Sequence, residues 1–119
     1  MAINRPYRND QNVESSTSIE QRPAPLSSFN AKQAIHTYLD NGDIIPTQHC
    51  HQRMRERRVT MPDIVYVLRH GAITEQPRWN PDHHNYVYKI EGFDLEDDEL
   101  KVLSVIIDIE ATVLLITVI

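Results

Sequence analysis

Residues 49 to 58 read HCHQRMRERR, with two histidines, one cysteine and five charged residues in ten positions. An imidazole gives or takes a proton near neutrality, and a guanidinium offers a planar fork of donors that fits a phosphate. His49 and Arg53 are four apart, so on a helix they share one face. Arg57 is four further on and extends that face, while Glu56, three from Arg53, is placed to orient the guanidinium. Plainer readings fit the same residues. His49 can cap or pack at a helix start, Arg53 can be an ion-pair partner of Glu56, and Arg55 and Arg58 can form a solvated face.

A metal is the competing chemistry. His49, Cys50 and His51 stand in a row, and His83-His84 add two more imidazoles in a Pro-Asp-rich segment. On a helix, however, two residues rotate by ~200°, so His49 and His51 point to nearly opposite sides. They would share a side only in an extended segment. Neither His-Glu-x-x-His nor paired CxxC spacing occurs. No metal is expected. His83-His84 read most simply as an exposed loop, with His84 the member to reach a substrate. The three glycines form no Walker or Rossmann pattern, so no nucleotide cofactor is expected either. Cys50 reads as a small buried residue, since its neighbours offer no base on its own face.

The elements that must hold these groups are legible from periodicity. Residues 1–27 are rich in Asn, Gln, Ser, Pro and Arg and show almost no apolar pattern, which predicts a disordered or extended arm. An ordered strap on the domain is the alternative. Phe29, Ala31, Ala34, Ile35, Tyr38 and Leu39 predict a first helix from Ser27 or Ser28 to Asn41-Gly42. DIIPTQ reads as a short extended link. Cys50 and Met54 make a thin apolar stripe, so the basic stretch is a short helix with most of its surface exposed. VTMPDI opens the next helix, with Thr60 as cap, Asp63 completing a capping box and Val59 and Ile64 at staple spacing. Its buried face is Ile64, Val65, Val67 and Leu68, and it ends at His70-Gly71.

Strands follow. AITEQPRW is an edge strand, because Pro77 does not fit a central ladder. YVYKIEGF alternates, with Tyr86, Tyr88 and Ile90 on one side. LKVLSVIIDI and TVLLITVI are nearly continuous apolar runs, as for inner strands, with EAT as a tight turn. The expected fold is α+β: two or three N-terminal helices on one face of a four-stranded, mainly antiparallel sheet, as a single domain over 28–119.

The chain has 119 residues, enough for one self-supporting core, and one cysteine, which excludes an internal disulfide. The final apolar run carries Asp108 and Glu110 near its middle, which argues against a membrane span. The polar start MAINRPYRND predicts no secretory signal, and the expected location is cytoplasmic. The formal charge of −5 disfavours nucleic acid only weakly, because charge is segregated. Five arginines stand against Glu56 and Asp63 between His49 and Gly71, whereas eight acids and only Lys101 follow from Glu91. A local basic face can still attract a polyanion.

The order His49, Arg53-Met54, Arg55-Glu56-Arg57-Arg58-Val59-Thr60, Asp63-Ile64, Leu68 and Gly71 resembles a pattern His-x-x-x-Arg-Met-x-x-Arg-x-Ile-Thr-x-x-Asp-Ile. That pattern marks a small bacterial and phage domain-of-unknown-function family. The Tyr88 strand with Gly92 and the closing Ile116-Thr117-Val118 also match, so the resemblance covers roughly residues 30 to 119. Arg58 departs from it, since the family commonly has Gly there, which implies an overrunning helix or an altered turn. The family's layout is similar to that of RelE-like toxins in the barnase–colicin–RelE group of ribonucleases.

This second likeness implies a toxin-like, metal-independent RNA-cleaving activity. Such cleavage needs a base for the ribose 2′-hydroxyl, cations for the phosphorane and an acid for the leaving oxygen. His49, Arg53 and Thr117 are the expected catalytic set, with Arg57, Tyr88 and His84 on substrate. Tyr86 and Tyr88 as core aromatics, and Thr117 as a structural strand residue, are the plainer readings. The other function class is a non-catalytic protein- or nucleic-acid-binding module. RNA, an antitoxin-like protein inhibitor, or a second copy paired through the C-terminal strand are the expected partners, with no membrane.

Overall fold

The structure, a computed structural model, describes residues 22–119. Its helices are α1 (Ser28–Asn41), α2 (Gln48–Arg57) and α3 (Met61–His70). Its strands are β1 (Asp43–Pro46), β2 (Arg78–Asn80), β3 (Asn85–Phe93), β4 (Glu99–Ile107) and β5 (Thr112–Val118). The strands form one sheet in the order β1-β5-β4-β3-β2, with β1 parallel to β5 and every other pair antiparallel. The fold is α+β with three helices, as expected, but the sheet is five-stranded and mixed.

The fifth strand is the segment expected to be a link. Asp43–Pro46 pairs with Thr112–Leu115, and Asp43 N–H donates to Ala111 O at 3.0 Å. Pro46, which lacks an N–H, sits at the end of this outer strand, where the missing donor breaks no inner ladder. β5 is therefore an inner strand over Thr112–Leu115, whereas Thr117 and Val118 pair with β4 only. The expected AITEQPRW strand is also shorter. Ala72 makes an isolated antiparallel bridge to Glu91, and regular pairing resumes only at Arg78, after Pro77. The EAT turn is a 3-10 turn at Asp108–Glu110, followed by Ala111 in the left-handed region at φ 50°.

Each helix is started by a side chain. Ser27, Thr47 and Thr60 accept from the backbone N–H groups of Asn30, Cys50 and Asp63, and Asp63 returns a bond to Thr60 N–H, closing the capping box. Backbone and side-chain bonds from Thr60 and the Leu95 N–H hold the Asp63 carboxyl below its ordinary range. One face of the sheet takes all three helices. Tyr88 and Ile90 of β3, Leu100, Val102 and Ile106 of β4, and Val113, Leu115 and Val118 of β5 meet Ala31, Ile35, Cys50, Met54, Ile64, Val67 and Leu68. Val59 and Ile64, the expected staple, are both in this core. No described helix is long and apolar enough to cross a membrane.

Part of the expected arm lies on the domain. Tyr86 Oη donates to Pro23 O at 2.7 Å, Leu26 N–H donates to Tyr88 Oη at 2.7 Å, and Arg22 lies over the Trp79 ring at 4.8 Å. Residues 1–21 lie outside the described residues.

Candidate functional site

The basic stretch is helical from Gln48 to Arg57, which removes the extended geometry that would bring His49 and His51 together. Cys50 and Met54 bury one side of α2 against β5 and β1, and burial raises the Cys50 thiol pKa. Thr47 ties the start of the helix to the sheet, because its N–H donates to Leu115 O at 2.9 Å and its Oγ1 to Ile116 O at 3.1 Å. With the inner stripe anchored, His49, Arg53 and Glu56 fall on one outward stripe, within ~60° of helical rotation. His49 is exposed, and the Arg53 and Glu56 side chains are 31% and 48% exposed.

Arg53 and Glu56 form an ion pair, Nη1 to Oε1, at 2.9 Å, and Gln52 Nε2 donates to Glu56 Oε2 at 3.2 Å. The Arg53 bond, then the Gln52 bond, holds the Glu56 carboxyl below the ordinary carboxylate range, with His49 adding to the field. As solvated neighbours the pair adds little stability. Its consequence is positional, since the guanidinium is held on the stripe. Arg57 is exposed on the flank, and Arg55, Arg57 and Arg58 have no ion pair among the described residues.

The helix stops where the turn requires a left-handed residue. Arg58 takes φ 57°, its N–H donates to Arg55 O, and Val59 N–H donates to Met54 O at 2.9 Å. With Val59 and Met54 both buried, this is a Schellman ending. The turn that a glycine would make is kept, so Arg58 neither extends the helix nor alters its exit. A left-handed non-glycine residue costs ~1–2 kcal/mol, against a smaller entropic cost for glycine. Arg58→Gly should therefore stabilise the domain by about 0.5–1 kcal/mol, read as a higher urea midpoint at unchanged slope.

Three expected site residues are elsewhere. Tyr88 is 3% exposed on the core face, and its hydroxyl is taken up by the N–H and carbonyl of Leu26, at 2.7 and 3.3 Å. It holds the N-terminal strap rather than a substrate. Tyr88→Phe leaves both Leu26 groups unpaired and should cost about 1–2 kcal/mol, read by thermal unfolding. Weakened RNA binding at unchanged stability would return Tyr88 to a substrate role.

Thr117 pairs with Leu103, whereas Leu115 pairs with Ser104, leaving Ile116 without a partner on β4. This bulge turns Thr117 to the sheet face away from the helices, and its Oγ1 donates to Val118 O at 3.4 Å. His84 is exposed in a left-handed turn at φ 50°, edge-on to Trp79 with ring centroids 5.8 Å apart. Trp79 also meets Tyr86 at 5.1 Å. This aromatic cluster beneath Arg22 was not anticipated, and only the lone tryptophan beside the His83-His84 turn hinted at it. Among the described residues no group of three or more His, Cys, Asp or Glu is placed to hold a metal ion.

Residues 46–119, from the last residue of β1 to the residue after β5, match the family described as Domain of unknown function (DUF4258). The chain belongs to the DUF4258 family. No curated protein and no solved structure matches it. The matched span takes in α2 and all of the sheet except most of β1, so the stripe lies wholly within the DUF4258 domain. Two glycines of this domain face each other where α3 meets β3. A Cβ on Gly92 would lie 3.1 Å from Gly71 Cα, and one on Gly71 would lie 2.6 Å from Glu91 O. Their role is close approach of backbones, not ligand binding.

Proposed function

We propose that this DUF4258 domain cleaves RNA without a metal, using the outward stripe of α2 as its working surface. The observation that carries the reading is the placement of His49 and Arg53 one turn apart on an accessible face, with the other side of the helix anchored in the core. Arg53 takes a non-bridging phosphate oxygen and stabilises the charge that grows on phosphorus. His49 moves a proton at the reacting oxygens. Arg57 flanks the stripe and raises the local concentration of a polyanion despite the overall charge of −5. Helices laid on one face of a largely antiparallel sheet fit the likeness to RelE-like toxins of bacteria and phages. A cytoplasmic protein held by an antitoxin-like inhibitor is the setting that this likeness supports.

The test is incubation of purified protein with single-stranded RNA in excess chelator. Cleavage to 2′,3′-cyclic phosphate ends is expected, and intact RNA at high enzyme concentration would overturn the reading. A second reading, a non-catalytic RNA- or protein-binding module, is favoured by the position of Thr117 and by the sealed Tyr88, which shrink the expected catalytic set. It would be established by retained RNA or partner binding with no cleavage and wild-type behaviour of His49→Ala.

A further inference from the structure

We propose that the groove between α3 and the loop Asp94–Asp98 is a docking site for a basic peptide segment of a partner protein, held by one apolar anchor residue. The inference stands apart from the RNA-cleaving reading, because the groove shares no residue with the α2 stripe.

The groove has a volume of about 410 Å³, within the ~300–1,000 Å³ range of ligand clefts. Gly71, Ala72 and Gly92 line it without bulky side chains, and Tyr66, Phe93 and Leu95 line it with large ones. Those three are 40%, 52% and 57% exposed, so the apolar lining is open to water.

The walls are fixed before any partner arrives. Leu95 N–H donates to Asp63 Oδ1 at 3.2 Å, which ties the loop to the first turn of α3. Within the loop, Asp94 Oδ1 accepts from the N–H groups of Glu96 and Asp98 at 2.8 and 3.0 Å, and Asp94 N–H donates to Asp98 O at 2.8 Å. At the other end, the close approach of Gly71 and Gly92 holds α3 against β3. A preformed groove spares the complex the cost of ordering one of its halves.

Charge selects the occupant. Glu91, Asp94 and Asp97 line the groove, and no Lys or Arg does. Residues 91–99 hold six acids and no basic residue. Among the described residues, Asp94, Glu96, Asp97 and Asp98 make no ion pair. This face repels RNA and anionic membrane surfaces and draws in Arg and Lys side chains. Solvated ion pairs hold little by themselves. Attachment therefore falls to an apolar residue between Tyr66 and Leu95, with the acids setting encounter and direction. α2 lies over β5 and β1, with β4 between them and β3. A docked segment leaves His49 and Arg53 open, unlike an inhibitor that covers the stripe.

The probe is a fluorescein-labelled arginine peptide with a single central tryptophan, titrated with the full chain at low salt and read by fluorescence anisotropy. Saturable binding is expected. The same peptide with alanine at its centre should bind about tenfold more weakly, as should the wild-type peptide to Leu95→Ser or Tyr66→Ala, the effect of losing a central anchor. Asp97→Asn should weaken binding about two- to threefold, as for an exposed ion pair, and asparagine suits the left-handed φ of 70° there. That difference should vanish near ~1 M salt. Glu110→Gln removes the same charge at the opposite end of β4 and should change nothing. Thermal melts confirm that each variant is folded.

Absence of saturable binding would overturn the proposal. So would equal binding by the groove variants and Glu110→Gln, which would mean that the peptide follows net charge alone, or equal binding of the alanine peptide. A wild-type dimer in light scattering that Leu95→Ser or Tyr66→Ala converts to monomer would give the groove to a second copy and overturn the basic partner.

Discussion

His49→Ala is expected to lower RNA cleavage by about 10³-fold, within the range for loss of a general acid or base, or ~4 kcal/mol of transition-state stabilisation. The fold should not change. His49 is exposed, the helix start is capped by Thr47, and the anchoring residues are Cys50 and Met54. The melting temperature should stay within a degree or two of wild type, and RNA binding should weaken far less than kcat, because Arg53 and the flanking arginines remain. Rates on a labelled oligonucleotide in chelator, with thermal melts of both proteins, measure this. Equal rates would remove His49 from the chemistry. A parallel loss of rate and melting temperature would return it to the role of a packing residue.

Gly71→Ala is expected to destabilise the domain by about 2–3 kcal/mol, the upper part of the range for overpacking. The cause is not a special dihedral angle, since Gly71 has φ −78°. It is lack of room. The added methyl would lie 2.6 Å from Glu91 O, 2.7 Å from Val67 O and 3.0 Å from Ile90 Cγ2. Two of these atoms are backbone carbonyls that cannot swing away. Both ends of the junction are tied: Gly71 N–H donates to Val67 O at 2.7 Å, and Ala72 exchanges two bonds with Glu91 at 2.8 and 2.9 Å. Lys32 Nζ also donates to Gly71 O. The last turn of α3 must therefore lift from β3 or the bridge must open. For a domain of this size the melting temperature should fall by roughly 10–20 °C. A loss below about 0.5 kcal/mol, within the range of neutral surface substitutions, would show that the junction yields more easily than this geometry implies.

The parts of the fold that local chemistry determines could be read from the residues. Thr60 with Asp63 marked the start of α3, and Cys50 with Met54 marked the buried side of α2, because caps and stripes act within one or two turns. The strand at Asp43–Pro46 could not be read in this way. Four residues ending in proline carry no alternation, and their strand character comes from a parallel partner almost 70 positions away.

Tyr88 shows a different limit. Period two placed it on a face with Ile90, but the groups that occupy its hydroxyl belong to Leu26, 62 positions away. On the candidate site, the shared face of His49 and Arg53 and the pairing of Arg53 with Glu56 followed from spacing alone. Thr117 did not. Strict alternation from Val113 and Leu115 would turn it toward the helices, and only the register of β4 reveals that one residue is skipped.

That skipped residue acts as a parity bit for the end of the chain. Were Ile116 counted in the ladder, the alternation would carry the threonine hydroxyl into the oil and leave Val118 in water. With it skipped, three closing residues exchange sides, the valine seals the interior, and a polar group is delivered to the uncovered surface of the sheet.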